Sequence, residues 1–182
     1  MGELLCLDLA CHEGYFALQL ALHGCREVLG IDAREENVAR ATLMRDLYAL
    51  ENLAFKRGNV LELTAAGIGQ FDIVLMLGLL YHTPDIVGVL RLARALSKGI
   101  CLIETQLAPE SDAELEWGAR SWFGLDLPCA VAPGVDVLLP QLGFAEVEVL
   151  KPLADSYEQL ARGMRVMIAA IVQTDALGNA TT

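Results

Sequence analysis

Two acids flanking a glycine turn are the residues of this chain best suited to chemistry. The first stretch reads Leu-Leu-Cys-Leu-Asp-Leu-Ala-Cys-His-Glu-Gly-Tyr-Phe, from Leu4 to Phe16. Asp8 lies within an apolar run, where an unpaired charge is costly. Gly14 opens a mostly buried helix, so the turn before it can bring bare backbone N–H groups close to a ligand. Asp32 closes the next apolar run, 18 residues after Gly14. A carboxylate there can accept both hydroxyls of a ribose. Turn and acid together predict an adenosine-type cofactor.

The turn chemistry selects among such cofactors. A dinucleotide site reads G-x-G-x-x-G, because a pyrophosphate needs close, bare backbone. Here the turn reads Ala10-Cys11-His12-Glu13-Gly14. Glu13 stands beside the place a pyrophosphate would take, which disfavours a nicotinamide oxidoreductase. Asp8 suits a cofactor with a positive charge or an ammonium group. S-adenosylmethionine has both. Methyl transfer needs in-line placement first, and a base only where the acceptor must lose a proton. His82 is the best base candidate, since it follows the fourth apolar run and can titrate near neutral pH. A structural or substrate-positioning role is its alternative. Tyr81 beside it could orient substrate or cofactor. Glu104, at the end of the fifth run, is a weaker candidate. Trp117 and Trp122 could line a pocket, but read more simply as a local mini-core.

The elements that must carry these residues follow from hydropathy. Strands are expected at Leu4–Leu9, Glu27–Ile31, Leu53–Lys56, Phe71–Leu77 and Ile100–Glu104. Helices are expected at Gly14–His23, Glu35–Leu50 and Pro84–Leu96, with Pro84 in the last helix's first turn. The strands are continuous apolar runs, the mark of a parallel sheet covered on both faces. Ligands then belong at the carboxyl ends of the strands, near a switch in strand order. The rhythm breaks over residues 105–133, which read as an irregular substrate-side insertion. A helix is expected over Gly134–Leu142, then strands at Ala145–Leu150 and Arg165–Val172. Their connection, Lys151 to Met164, is too short for a comfortable helical crossover, which predicts an antiparallel pair.

Composition bounds the rest. The 182 residues suit one domain, and 54% of them are hydrophobic. The longest uncharged run near the centre, Ile73 to Pro84, is 12 residues, against the ~20 a membrane span needs. No basic, apolar leader opens the chain. A soluble, cytoplasmic protein is expected. The net charge is −11, and the stretch from Glu104 to Glu148 holds nine acids and one base, Arg120. Nucleic acid is therefore a less favoured partner, because phosphate contacts need a basic face. A neutral or cationic small acceptor fits better. Five cysteines without C-x-x-C spacing read as reduced, mostly buried thiols. His12, His23 and His82 form no ligand cluster, so no metal is expected.

The residues taken together resemble the class I S-adenosylmethionine-dependent methyltransferases. Asp8-Leu9-Ala10-Cys11-His12-Glu13-Gly14 is similar to the family's first motif, in the variant with Cys in the turn. Asp32 matches the ribose acid, and Asn59 in Gly58-Asn59-Val60 matches the residue at adenine. Phe71-Asp72-Ile73-Val74, running into Leu77-Gly78-Leu79-Leu80-Tyr81-His82, matches the fourth-strand motif. Gly143-Phe144 and a final antiparallel hairpin also fit, so the resemblance covers about residues 3 to 173. It implies an α/β fold, a three-layer αβα sandwich with a seven-stranded, mostly parallel sheet in the order 3-2-1-4-5-7-6 and one antiparallel strand. It implies cofactor contacts from Asp8, Ala10, Cys11, His12, Gly14, Asp32, Ala33, Asn59, Val60, Leu77 and Gly78, with S-adenosylhomocysteine as product.

Two departures qualify the match. The family usually has Gly where Ala10 stands. It also carries helices before the first strand, which residues 1–182, read as a single domain, lack. A homodimer could then cover the site left open. Leu80-Tyr81-His82 resembles a subgroup that includes sugar and natural-product methyltransferases and wobble-uridine tRNA carboxymethyltransferases. The expected function is methyl transfer to a small molecule. The alternatives are a tRNA-modifying methyltransferase and a non-catalytic or truncated subunit.

Overall fold

Leu5–Leu9 (β1) lies in the middle of a parallel sheet, with the strands that follow it laid down on either side. A computed structural model of the chain describes residues 3–106, 135–151 and 165–172, together with the backbone of 118–122 and 125–129. β1 leads into Tyr15–Leu22 (α1), Glu27–Asp32 (β2), Glu35–Leu47 (α2), Leu53–Arg57 (β3), the short helix Ala65–Ile68 (α3), Phe71–Leu77 (β4), Ile86–Leu96 (α4) and Ser97–Gln106 (β5). Then come Gly118–Trp122 (β6), Leu125–Cys129 (β7), Val135–Gln141 (α5), Glu146–Leu150 (β8) and Arg165–Ile171 (β9). One sheet has seven strands in the order β3-β2-β1-β4-β5-β9-β8. Counting its members alone, that is 3-2-1-4-5-7-6, as the resemblance implies. β9 runs antiparallel to both β5 and β8, and the other pairs are parallel.

The strand order reverses between β1 and β4, and this opens the crevice that positions the site. Alternation along each strand sends side chains to opposite faces. Leu7 and Leu9 of β1 join Val74 and Met76 of β4 in the larger core, packed with Leu90 of α4 and Leu139 of α5. Cys6 faces the other way, into a smaller core with Ala17, Leu18 and Ala21 of α1. Asp8 shares that second face by register. Cys6, Cys11, Cys25 and Cys101 are free and buried. Burial pushes the Cys101 thiol up to about 12.

Two expectations are corrected. The helix expected from Pro84 begins at Ile86, and Asp85 caps it by accepting the Gly88 N–H at 2.8 Å. A carboxylate at that position satisfies an N–H the helix leaves open, so Pro84 falls outside the first turn. The stretch read as irregular contains an antiparallel hairpin, β6 with β7. The β7 backbone runs beside the 3-10 turn Leu80–His82. Trp117 and the acids at 110, 112, 114 and 116 lie outside the described residues, as does the Trp122 side chain.

Candidate active site

The turn after β1 is built from left-handed residues. Ala10 has φ 57°, His12 φ 53° and Gly14 φ 81°. An L-side chain in that region costs about 1–2 kcal/mol, which explains why glycine suits the place of Ala10. Three hydrogen bonds hold the turn. Cys11 N–H donates to the Ile31 carbonyl at 3.0 Å, and Gly14 N–H donates to the Cys11 carbonyl at 2.8 Å. His12 N–H donates to Asp32 Oδ2 at 3.0 Å. Gly14 has a second constraint. A Cβ there would stand 2.5 Å from the Phe55 ring and 2.9 Å from Ala41. Its bareness thus serves close packing of the turn onto β3 and α2.

Asp8 and Asp32 are both buried, at 2% and 5% exposure. Asp8 Oδ2 accepts the Ala17 N–H from α1 at 3.1 Å. Burial, reinforced by the Asp32 charge and opposed by that hydrogen bond, pushes the Asp8 carboxyl up to about 7. Besides His12 N–H, Asp32 accepts the Arg34 N–H at 2.9 Å and Asn37 Nδ2 at 3.0 Å. A carboxylate offers about four acceptor sites, so capacity remains for a ligand hydroxyl. Two adjacent buried acids, one of them struggling to ionise, fit a ligand that carries positive charge.

Glu13 is placed differently from the expectation. Its carboxylate is exposed and pairs with Arg40 of α2 at 2.6 Å. The hydrogen bond from Arg40 lowers its pKa despite some desolvation. The repulsion argued against a pyrophosphate is therefore offset by Arg40, and the case against a dinucleotide rests on the turn's side chains alone.

The far rim is formed by the ends of β2 and β3. Ala33 is exposed. Asn59 is exposed too, and it caps a 3-10 turn over Val60–Glu62, with Oδ1 accepting the Leu61 N–H at 3.1 Å and Nδ2 donating to Glu62 at 3.2 Å. Val60 packs half-buried against the larger core.

Across the crevice, the residues after β4 form a linked group. Gly78 (φ 74°) donates its N–H to the Glu104 carbonyl at 3.0 Å. A Cβ on Gly78 would lie 2.9 Å from Tyr81 Oη. Tyr81 is buried, and its ring meets the His82 ring at 4.4 Å between centroids. Arg165 Nη1 donates to Tyr81 Oη at 3.1 Å and to Glu104 Oε1 at 2.9 Å. Burial opposes the Arg165 charge, but Glu104 and Tyr81 outweigh it and hold its pKa above the usual arginine value. His82 keeps one side open to solvent. Partial burial, then the Arg34 and Arg165 cations, lower its pKa and favour the neutral imidazole. Sequence reasoning missed Arg165, whose signal was a lone base at the start of an apolar strand. Among the described residues no group of three or more His, Cys, Asp or Glu could hold a metal ion. No helix among them is long and apolar enough to cross a membrane.

Comparison with known proteins agrees with this layout. The model of a family described as "Methyltransferase domain" matches residues 3–123. The ubiquinone biosynthesis O-methyltransferase of Acinetobacter baumannii is 30% identical over 92 residues, covering 50% of this chain and 38% of that protein. The tRNA U34 carboxymethyltransferase of Aliarcobacter butzleri is 29% identical over 157 residues, covering 79% of this chain and 48% of that one. The chain thus spans less than half the length of these relatives. The crystal structure of the N-terminal domain of EvdMO1 with SAH bound superposes with a TM-score of 0.71 at 24% identity, over 99% of this chain and 76% of that one.

Proposed function

The chain belongs to the methyltransferase-domain family, and from that premise we propose that it transfers a methyl group from S-adenosylmethionine to a small-molecule acceptor. The observation that carries this reading is the pair of buried acids, Asp8 and Asp32, at the reversal of strand order. When bound, the cofactor supplies a methyl group on a positively charged sulfur. In this reading Asp32 accepts ribose hydroxyls while it holds His12 N–H. Asn59 and Val60 bound the adenine end, with Ala33 beside them. The backbone of Ala10, Cys11, His12 and Gly14 receives the amino-acid end, and the Asp8 charge favours its ammonium. Leu77 and Gly78 line the reacting end. Placement of the acceptor supplies most of the rate, and His82, whose neutral form is favoured, takes a proton at a ring nitrogen where the acceptor must lose one. Tyr81 orients His82.

The charge of −11 supports a small neutral or cationic acceptor, in a cytoplasmic setting. The match to a tRNA-modifying enzyme over 79% of the chain favours a second reading, in which the acceptor is a tRNA base. Filter binding to tRNA at low salt separates the two, since phosphate contacts strengthen as salt falls. Turnover is tested with methyl-labelled cofactor and a panel of phenols, amines and sugars. Labelled product supports catalysis, whereas binding of S-adenosylhomocysteine without turnover points to a non-catalytic subunit.

A further inference from the structure

We propose that Arg165 is a positioning residue, which with Glu104 clamps Tyr81 and so fixes the His82 ring at the acceptor end of the crevice. One nitrogen, Nη1, serves both Tyr81 Oη at 3.1 Å and Glu104 Oε1 at 2.9 Å. The guanidinium carbon also stands 5.1 Å from the centre of the Tyr81 ring. Arginine's planar fork suits such a combined hydrogen-bonded and stacked contact. The Tyr81 ring in turn abuts the His82 ring at 4.4 Å. The chain of contacts therefore runs from the end of β5, through the start of β9, to the turn after β4. Arg165 is 61 residues from Glu104 and 84 from Tyr81 in sequence, so the clamp is a long-range contact added to the turn's own backbone bonds.

The arrangement is more than a fastening. Glu104 and Arg165 are nearly buried, with side-chain exposures of 11% and 14%. A buried ion pair is weak evidence for stability, because desolvation offsets most of its attraction, but it can fix one arrangement among several. Here the fixed object is the Tyr81 ring, against which the His82 ring rests. Gly78 makes room for it, since any side chain there would meet Tyr81 Oη. The charges around His82 come from several elements. Arg34 follows β2, and Arg165 faces it from β9 with Glu104 of β5 behind. Asp85 caps α4, which packs on the same turn. The clamp itself stands on geometry alone and rests on the methyltransferase reading only for what His82 does.

The test follows His82 ring protons by NMR across pH, in the full chain and in two variants. Arg165→Met removes a cation beside His82 and the guanidinium contacts to Tyr81. The titration midpoint of His82 moves up, and the ring-current shift from Tyr81 collapses. Glu104→Gln keeps an acceptor for Arg165 but uncovers its charge, so the midpoint moves down. A merely structural pair would still move the midpoint through its charge, so the Tyr81 ring-current shift on His82 is the readout that reports positioning. An unchanged ring-current shift in the folded Arg165→Met variant would overturn the proposal, whatever the midpoint does. S-adenosylhomocysteine binding is measured alongside. Its affinity stays within about threefold in folded variants if the clamp serves the acceptor end, and loss of more than about tenfold in both would instead put the clamp in the cofactor site. Failure of the wild-type chain to bind would count against the methyltransferase reading and leave the His82 result standing.

Discussion

The Asp32 carboxylate accepts the backbone N–H of His12, 20 residues earlier, at 3.0 Å. The acid at the end of β2 therefore shapes the turn at the end of β1 before any ligand arrives. His12 sits in the left-handed region, and this bond helps to hold it there. Hydrogen bonds to charged groups contribute about 1.5–3 kcal/mol. Asp32→Ala removes three such acceptor contacts and is expected to destabilise the ligand-free chain by about 2–3 kcal/mol. Urea unfolding measures it, and a loss below about 0.5 kcal/mol would show that the turn holds itself.

Asp8 gives the protein a distinctive pH response. The folded carboxyl keeps its proton up to about pH 7. In the unfolded chain it ionises near pH 4. Between those values the folded state binds the extra proton, so this contribution to stability is full below about pH 4 and is lost as pH rises to about 7, by at most about 1.4 kcal/mol per pH unit. Asp8→Asn is expected to flatten this slope in thermal melts from pH 5 to 8. A cationic ligand favours the ionised acid, so cofactor binding near pH 6.5 should release a proton. Calorimetry in buffers of different ionisation enthalpy counts it.

Gly14 carries two constraints at once, the left-handed backbone and the Phe55 ring. Gly14→Ala is expected to cost about 2–4 kcal/mol, from backbone strain and overpacking together. Phe55→Leu in the same chain should recover the packing share and leave the strain. Full recovery in the double variant would mean that the φ angle contributes nothing.

Ala10 offers the opposite change. At φ 57° it has a conformation that glycine adopts freely. Ala10→Gly should stabilise the chain by up to about 1 kcal/mol, since relief of strain is partly offset by the greater freedom of glycine when unfolded. A lower denaturation midpoint would contradict the assigned turn geometry.

The central strands were legible because β1, β4 and β5 are mostly apolar runs, whereas the edge strands β3 and β8 carry charges, as at Lys56 and Glu148. The strand order came from family likeness, because apolar runs carry no pairing information. Asp8 stood out because a carboxylate within such a run needs a reason to be there. The Tyr81–Arg165–Glu104 group was not legible, because its members meet only after the sheet has closed. Glu13 was misread for a similar reason: Arg40, which draws it aside, lies 27 residues away on α2. The hairpin of β6 and β7 was hidden because its strands, Gly-Ala-Arg-Ser-Trp and Leu-Asp-Leu-Pro-Cys, are short and show no clean alternation.

The central claim is that an S-adenosyl cofactor binds where the strand order reverses, through Asp32. Isothermal titration of S-adenosylhomocysteine into the wild-type chain and into a folded Asp32→Asn variant tests it most directly. Binding that saturates below about 1 mM in the wild type, weakened at least about tenfold in the variant, is the predicted result. No heat of binding at about 1 mM with folded wild-type protein, or equal affinity in the two proteins, would contradict it.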